Sequence, residues 1–172
     1  MKGVLVEPGS AVKLADFDPG YKPKWATAER LQADIEQLAL YQERLAAQNV
    51  YGLLVVLQGI DASGKDGTVR HVMSGVNPQG VVVHSFKVPS TEELDHDYLW
   101  RYVQRLPQRG QIGIFNRSHY EEVLVVRVHP ELLQREDLPP DGDLWQRRFR
   151  EINEWERYLT DNGFRIVKLF LN

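Results

Sequence analysis

Short apolar runs alternate with helical stripes along this chain from about residue 25 onward. Leu31, Ile35, Leu38, Tyr41 and Leu45 recur at three- and four-residue spacing, and Glu29, Arg30, Asp34, Glu36, Glu43 and Arg44 take the other face. That pattern predicts an amphipathic helix over roughly 25–48. Leu53-Leu54-Val55-Val56-Leu57 suits a strand buried on both faces. A glycine-rich stretch follows it, and Val69-Arg70-His71-Val72-Met73 continues as a helix until the turn at Asn77-Pro78-Gln79-Gly80. Val81 to Phe86 reads as a second buried strand. Ser90-Thr91-Glu92-Glu93 has the spacing of a capping box and opens a helix with Leu94, Tyr98, Tyr102 and Leu106 among its apolar positions. Pro107-Gln108-Arg109-Gly110 closes that helix, and Gln111 to Phe115 is a third short strand.

Ser118 with Glu121 has the spacing of a second capping box. Val123 to Val128 favours a strand by propensity, but the box and the topology favour a helix, and a helix is expected. His129 to Asp143, with Pro130, Pro139, Pro140 and Gly142, reads as a long surface loop. Trp145, Phe149, Ile152, Trp155 and Leu159 then mark one face of a strong helix that stops at Asn162-Gly163. Phe164 to Leu171 is a fourth strand. Strands alternating with helices predict an α/β fold, a parallel sheet with helices on both faces. Residues 1–24, with Pro8, Pro19, Pro23, Gly3, Gly9 and Gly20, read as an irregular arm, which leaves 25–172 as the core.

Composition narrows the function classes. The 172 residues are 42% hydrophobic and 26% charged, as expected of one ordinary soluble domain. There is no cysteine, which excludes disulfides and thiolate chemistry. The N-terminal apolar run is too short for a signal peptide and no run approaches a membrane span, so a cytoplasmic protein without membrane contacts is expected. A net charge of -3 does not advertise nucleic acid as a partner.

The chemistry is concentrated in Gly59-Ile60-Asp61-Ala62-Ser63-Gly64-Lys65-Asp66-Gly67-Thr68. The spacing Gly59-x-x-x-x-Gly64-Lys65 between a strand and a helix fits the Walker A pattern. Glycines let the backbone approach an anion, helix N–H groups point at it, and Lys65 adds a mobile charge. Asp66 replaces the usual Ser/Thr after the lysine, and Thr68 brings a hydroxyl two places later. Asp61 inside the loop would repel a bound phosphate unless a metal ion sits between them. A bland glycine turn is the alternative. Lys87 lies just past the second strand, on the edge where α/β sheets bind ligands, and could equally be an exposed lysine without a role. The third strand delivers Asn116-Arg117-Ser118-His119-Tyr120-Glu121-Glu122, where a Walker B carboxylate would be expected. Asn116 offers a neutral oxygen instead, and the fork of Arg117 can hold two phosphate oxygens. His96 between Asp95 and Asp97 lacks further ligands at helical spacing and reads as a solvated face.

Taken with Val76-Asn77-Pro78-Gln79-Gly80, Ser85-Phe86-Lys87-Val88-Pro89 and Ile114 to Glu121, this loop makes the sequence resemble the polyphosphate kinase 2 family from about Ala15 onward. The resemblance implies a P-loop kinase fold, a three-layer sandwich like that of thymidylate kinase. It implies reversible phosphoryl transfer between inorganic polyphosphate and AMP or ADP, giving ADP or ATP, with Mg2+. Carried onto this chain, Asp61, Lys65 and Arg117 are the candidate catalytic residues. Gly59, Ala62, Ser63, Gly64, Lys65, Asp66, Gly67, Thr68 and Arg70 are the candidate polyphosphate-binding set. Lys87 and Glu121 are candidate nucleotide contacts, and Asp61 and Asn116 candidate metal ligands, although other members carry an aspartate where Asn116 stands. The resemblance also implies a homo-oligomer, and a lid helix pair with further cations after the last strand. The chain stops at Asn172, before any lid, so a shortened member or a piece of a longer one is expected. Two alternatives stay open: an ATP-dependent P-loop nucleotide kinase, and a catalytically incomplete fragment that binds polyphosphate or nucleotide.

Overall fold

The structure is a computed structural model and describes residues 5–60, 62–135 and 143–172. Four strands form one sheet in the order β2-β3-β1-β4, and every pairing is parallel. They are β1 (Gly52–Gly59), β2 (Val81–Ser85), β3 (Ile112–Asn116) and β4 (Phe164–Leu171). The alternation of β1 explains its central place. Leu54 and Val56 join Phe86, Tyr102 and Phe115 in one buried cluster, while Leu57 joins Ile112 and Ile114 in another on the opposite face.

Helices cover both faces, as predicted. α1 (Ala28–Gln48) and α2 (Lys65–Val72) pack on one, through Leu45 and Val69. α4 (Trp100–Val103) and α6 (Leu144–Asp161) pack on the other, through Tyr102 and Trp155. The start of α1 is capped by Thr27, whose side chain accepts the Arg30 N–H, and its end by Asn49 in a left-handed conformation (φ 49°). Asp143 caps α6 by accepting the N–H groups of Trp145 and Gln146. Among the described residues of the arm, 5–24, only a single 3-10 turn at Leu14–Asp16 is regular. No helix among the described residues is long and apolar enough to cross a membrane.

Four local expectations need correction. The second strand is not buried: β2 lies at the sheet edge and is only partly covered, with Val83 exposed, because no strand pairs on its outer side among the described residues. The helix opened by Ser90 does not run through to Leu106. The capping box forms, but α3 (Thr91–Leu94) is one turn long and α4 begins only at Trp100. Asp97 lies between them and takes the Leu99 N–H on its own side chain at 3.0 Å, a local turn that competes with helix. The helix expected over 123–128 is a single turn, α5 (Val125–Val128). The second capping box does not form. Ser118 accepts the Tyr120 N–H at 3.2 Å and donates to Gln58 Oε1 at 3.1 Å, and His119–Glu122 is a 3-10 turn. Of the long loop, Pro130–Arg135 is also 3-10, and the part over 136–142 lies outside the described residues.

Candidate active site

All four strands point their C-terminal ends to one edge, and several of the described residues singled out from the sequence lie there. The connection from β1 crosses over β3 to reach β2, while β4 lies on the other side of β1. The edge beside β1 is therefore a topological switch point, where open α/β sheets bind ligands.

The glycine loop leaves β1 and enters α2. Gly59 packs against backbone: an added Cβ would meet the Leu171 carbonyl oxygen, and Ser63 Oγ at 2.8 Å. Ala62 (φ 64°) and Gly64 (φ 87°) both adopt left-handed backbone. Such turns point successive N–H groups into a concavity suited to anions. Lys65 is buried and folds back over this loop. Its Nζ donates to the Gly59 and Ile60 carbonyls at 2.8 Å each and to Ser63 Oγ at 3.2 Å. Asp66, exposed at the start of α2, accepts from Asn116 Nδ2. Asn116 is buried, and its Nδ2 also reaches Ser85 Oγ at 3.4 Å, so one amide joins β3 to α2 and β2. Its nitrogen, not its oxygen, faces the Asp66 carboxylate. Thr68 donates its N–H to the Gly64 carbonyl at 2.9 Å, and Gly67 and Arg70 lie on the same helix, Arg70 exposed. Asp61 lies outside the described residues.

Arg117 follows β3 with a left-handed backbone (φ 65°). That conformation is strained for a residue with a side chain and collects at functional sites. Its N–H donates to the Leu57 carbonyl at 3.1 Å, which fixes it beside the glycine loop. Its guanidinium, half-exposed, lies 3.6 Å from Glu121 Oε2. Glu121 Oε1 in turn accepts from Gln58 Nε2. Lys87 is exposed past the end of β2, with its carbonyl held by Arg101 Nη2 at 2.7 Å. The edge thus brings together Lys65, Asp66, Asn116, Arg117 and Glu121, with Lys87 beyond the end of β2.

Beneath this edge lies a polar layer that sequence reasoning missed. Gln58 connects Ser118 to Glu121. Glu122 accepts from the Tyr102 hydroxyl at 2.9 Å and lies 3.6 Å from Arg148 Nη1, which also donates to the Glu122 carbonyl at 2.8 Å. Arg148 stacks over the Tyr98 ring, 4.6 Å from its centroid. On α6, Glu156 Oε1 accepts from the Tyr120 hydroxyl at 2.7 Å and pairs with His119 Nε2 at 3.1 Å. Lys168 Nζ donates to Glu156 Oε2 at 2.7 Å and to the Tyr120 hydroxyl at 2.9 Å.

Burial would raise the Glu156 carboxyl, but the bonds from His119, Lys168 and Tyr120 overcome it and bring it down to about 2. Burial lowers His119 below the usual histidine range despite Glu156, so the ring is neutral. It donates from Nε2, which leaves Nδ1 as an acceptor without a partner among the described residues. Burial, then Glu156, pushes the Tyr120 phenol up to about 12.

Comparison with known proteins adds a second line of observation. A model of the polyphosphate kinase 2 family matches residues 21–172. An ADP-polyphosphate phosphotransferase of Rhodopseudomonas palustris is 50% identical over 159 residues, which is 90% of this chain and 55% of that protein. An AMP/ADP-polyphosphate phosphotransferase of Meiothermus ruber is 47% identical over 177 residues, 100% of this chain and 63% of that protein. The crystal structure of polyphosphate kinase 2 from Arthrobacter aurescens superposes with a TM-score of 0.83 at 39% identity, covering 95% of this chain and 58% of that one. The chain therefore spans between half and two thirds of the length of these relatives.

Proposed function

This chain belongs to the polyphosphate kinase 2 family, and from that premise we propose that it transfers phosphoryl groups between inorganic polyphosphate and AMP or ADP. What supports the reading most is one juxtaposition. The backbone of Arg117 is bonded to Leu57, two residues before the glycine that opens the Lys65 loop. One fixed loop for a phosphate chain and one forked cation thus share a sheet edge.

Phosphoryl transfer asks a protein for alignment and for neutralisation of oxygen charge, not for covalent chemistry. The loop N–H groups over 62–68 and Lys65 hold the donor chain. Lys65 has three protons, all directed at loop oxygens, so it can exchange one for a phosphate oxygen and keep its place with the others. An oxygen of the acceptor's terminal phosphate attacks the donor's terminal phosphorus, and the bridging P–O bond of the polyphosphate breaks. That acceptor oxygen is already ionised, so no general base is needed. Arg117 stabilises the charge on the moving group. Lys87 and Glu121 contact the nucleotide, and Arg70 extends the cationic track for the polymer.

A magnesium ion is supported by donor chemistry alone: among the described residues no group of three or more His, Asp or Glu side chains is arranged to hold a metal, and Asn116 turns its amide nitrogen to Asp66. The donors are carboxylate and amide oxygens, which is the set Mg2+ takes. Asp61 and Asn116 would hold it, with Glu121 through water. Bound there, Mg2+ would neutralise phosphate oxygen charge. The same reading gives a cytoplasmic homo-oligomer with polyphosphate and adenine nucleotides as its partners.

The test is ATP formation by the 172-residue chain from polyphosphate, ADP and Mg2+ with no nucleotide donor, scored by chromatography. The expected result is ATP, with Lys65→Ala and Arg117→Ala each slower by about two to five orders of magnitude. Salt-dependent binding of polyphosphate without product would leave the binding-fragment reading. Neither product nor binding would return the chain to the ATP-dependent kinases.

A further inference from the structure

We propose that Glu156 is a positioning residue, which holds the turn carrying Arg117 and Glu121 through His119 and Tyr120. This rests on the reading of Arg117 as the cation at the moving phosphoryl group. The left-handed backbone of Arg117 is strained and persists only where its surroundings over-determine it. On one side the determinant is the Leu57 carbonyl. On the other it is the two residues after Ser118. His119 is fully buried, and its ring packs edge-on to Trp155 and Tyr102. Those ring contacts set its plane but give it no polar anchor.

Glu156 supplies the anchor. Its two oxygens divide the work. Oε2 accepts from Lys168 and ties α6 to β4. Oε1 meets His119 Nε2 and the Tyr120 hydroxyl, and so ties α6 to the turn. Since His119 Nδ1 has no partner among the described residues, losing Glu156 would leave the ring without a polar contact to fix its orientation. Along the turn, Arg117 and Glu121 meet each other at the edge, while His119 and Tyr120 meet α6. A shift at Glu156 is thereby passed to Arg117 over two peptide units. A residue that only joined α6 to β4 would affect stability and leave the arginine's contribution intact.

The experiment is a double-mutant cycle on the full chain, using Glu156→Ala alone and together with Arg117→Lys, a partner change that keeps a cation. Glu156→Ala is expected to lower kcat by about 10- to 100-fold with KM for polyphosphate changed less than about threefold. In the Arg117→Lys background the same substitution should change kcat by less than about twofold, because the two act on one contribution. His119→Gln, which keeps a donor near the Nε2 position, should retain kcat within about threefold, while His119→Leu should fall with Glu156→Ala. Equal losses in both backgrounds, or an unchanged kcat in folded Glu156→Ala, would overturn the proposal. If Glu156→Ala unfolds, Glu156→Gln replaces it in both backgrounds.

Amide exchange provides a readout that needs no turnover. Without Glu156, the Arg117 and Glu121 N–H groups, which donate to Leu57 and Ser118, should exchange at least about tenfold faster than the β1 amides change. Unaltered exchange at those two sites would also overturn it. Absence of ATP from the unmodified chain would sink the polyphosphate reading instead, and the exchange comparison would still decide on Glu156.

Discussion

Arg148 is the most deeply buried arginine or lysine among the described residues, and its removal is expected to cost stability. It is 1% exposed and Glu122 is 6% exposed, so the pair is out of reach of water. Arg148→Met keeps an unbranched stem and removes the guanidinium. Among its contacts with the described residues, the hydrogen bond to the Glu122 carbonyl, the charge facing the Glu122 carboxylate and the stacking on Tyr98 go together. The dominant loss is the second, because the Glu122 carboxylate stays buried without its arginine. Breaking one side of a buried pair costs about 3–5 kcal/mol. For a chain of this size each kcal/mol moves Tm by about 2–4 °C, so a drop of about 6–20 °C is expected. Adding Glu122→Gln removes the stranded charge and leaves an amide oxygen for the Tyr102 hydroxyl. The double variant should recover at least about 2 kcal/mol of the loss. Urea unfolding followed by tryptophan fluorescence measures both, with midpoint and slope compared across the variants. A single variant that loses less than about 1 kcal/mol, or a double variant no more stable than the single, would refute the argument.

Three other outcomes follow from the same geometry. Glu156 sits below its ordinary carboxyl range and His119 below the histidine range, so each contributes stability at neutral pH that acidification removes. The His119 part is lost as pH falls below 6.5, and the Glu156 part as pH falls from 4.5 towards about 2; calorimetry of Glu156→Gln should show the lower step gone. Gly59→Ala drives a Cβ into the Leu171 carbonyl, which is backbone and cannot move aside, whereas Gly64→Ala meets open space and bears only its left-handed φ. Gly64→Ala should cost about 1 kcal/mol and Gly59→Ala clearly more, and thermal melts showing the reverse order would contradict the packing. Gln58→Leu removes the amide that joins Ser118 to Glu121, and should cost about 1–3 kcal/mol and lower kcat more than it raises KM; steady-state kinetics in which only KM changed would refute it.

The strands and the glycine loop were legible because their signals are local. Leu53 to Leu57 and the glycines at 59 and 64 carry their own periodicity and spacing. The family resemblance also pointed to Lys65, Asn116 and Arg117, which the fold gathers on one edge. What escaped depends on partners distant in sequence. Arg148 falls beside the apolar stripe of α6, and a charge there reads as solvated until Glu122 and Tyr98 close over it. His119 and Glu156 are 37 positions apart and meet only after α6 packs on β4. Ser118 has the spacing of a cap with Glu121, but Gln58 engages both side chains and overrides the local motif. The break between α3 and α4 had a local sign in Asp97, whose short polar side chain favours turns over helix interiors.

The central position of β1 also sets the timetable on which the protein can be made. Gly52 to Gly59 leaves the ribosome ahead of both its register partners, Ile112 to Asn116 on one side and Phe164 to Leu171 on the other. At bacterial or eukaryotic elongation speeds of about 5–20 residues per second, the edge that meets β4 stays open for roughly 5–20 seconds after β1 emerges. Throughout that interval the central strand of the sheet has unpaired backbone groups along that side. Slower translation lengthens the wait, so the yield of native protein in a cell should depend on chaperone capacity and synthesis rate more than on the stability of the finished sheet.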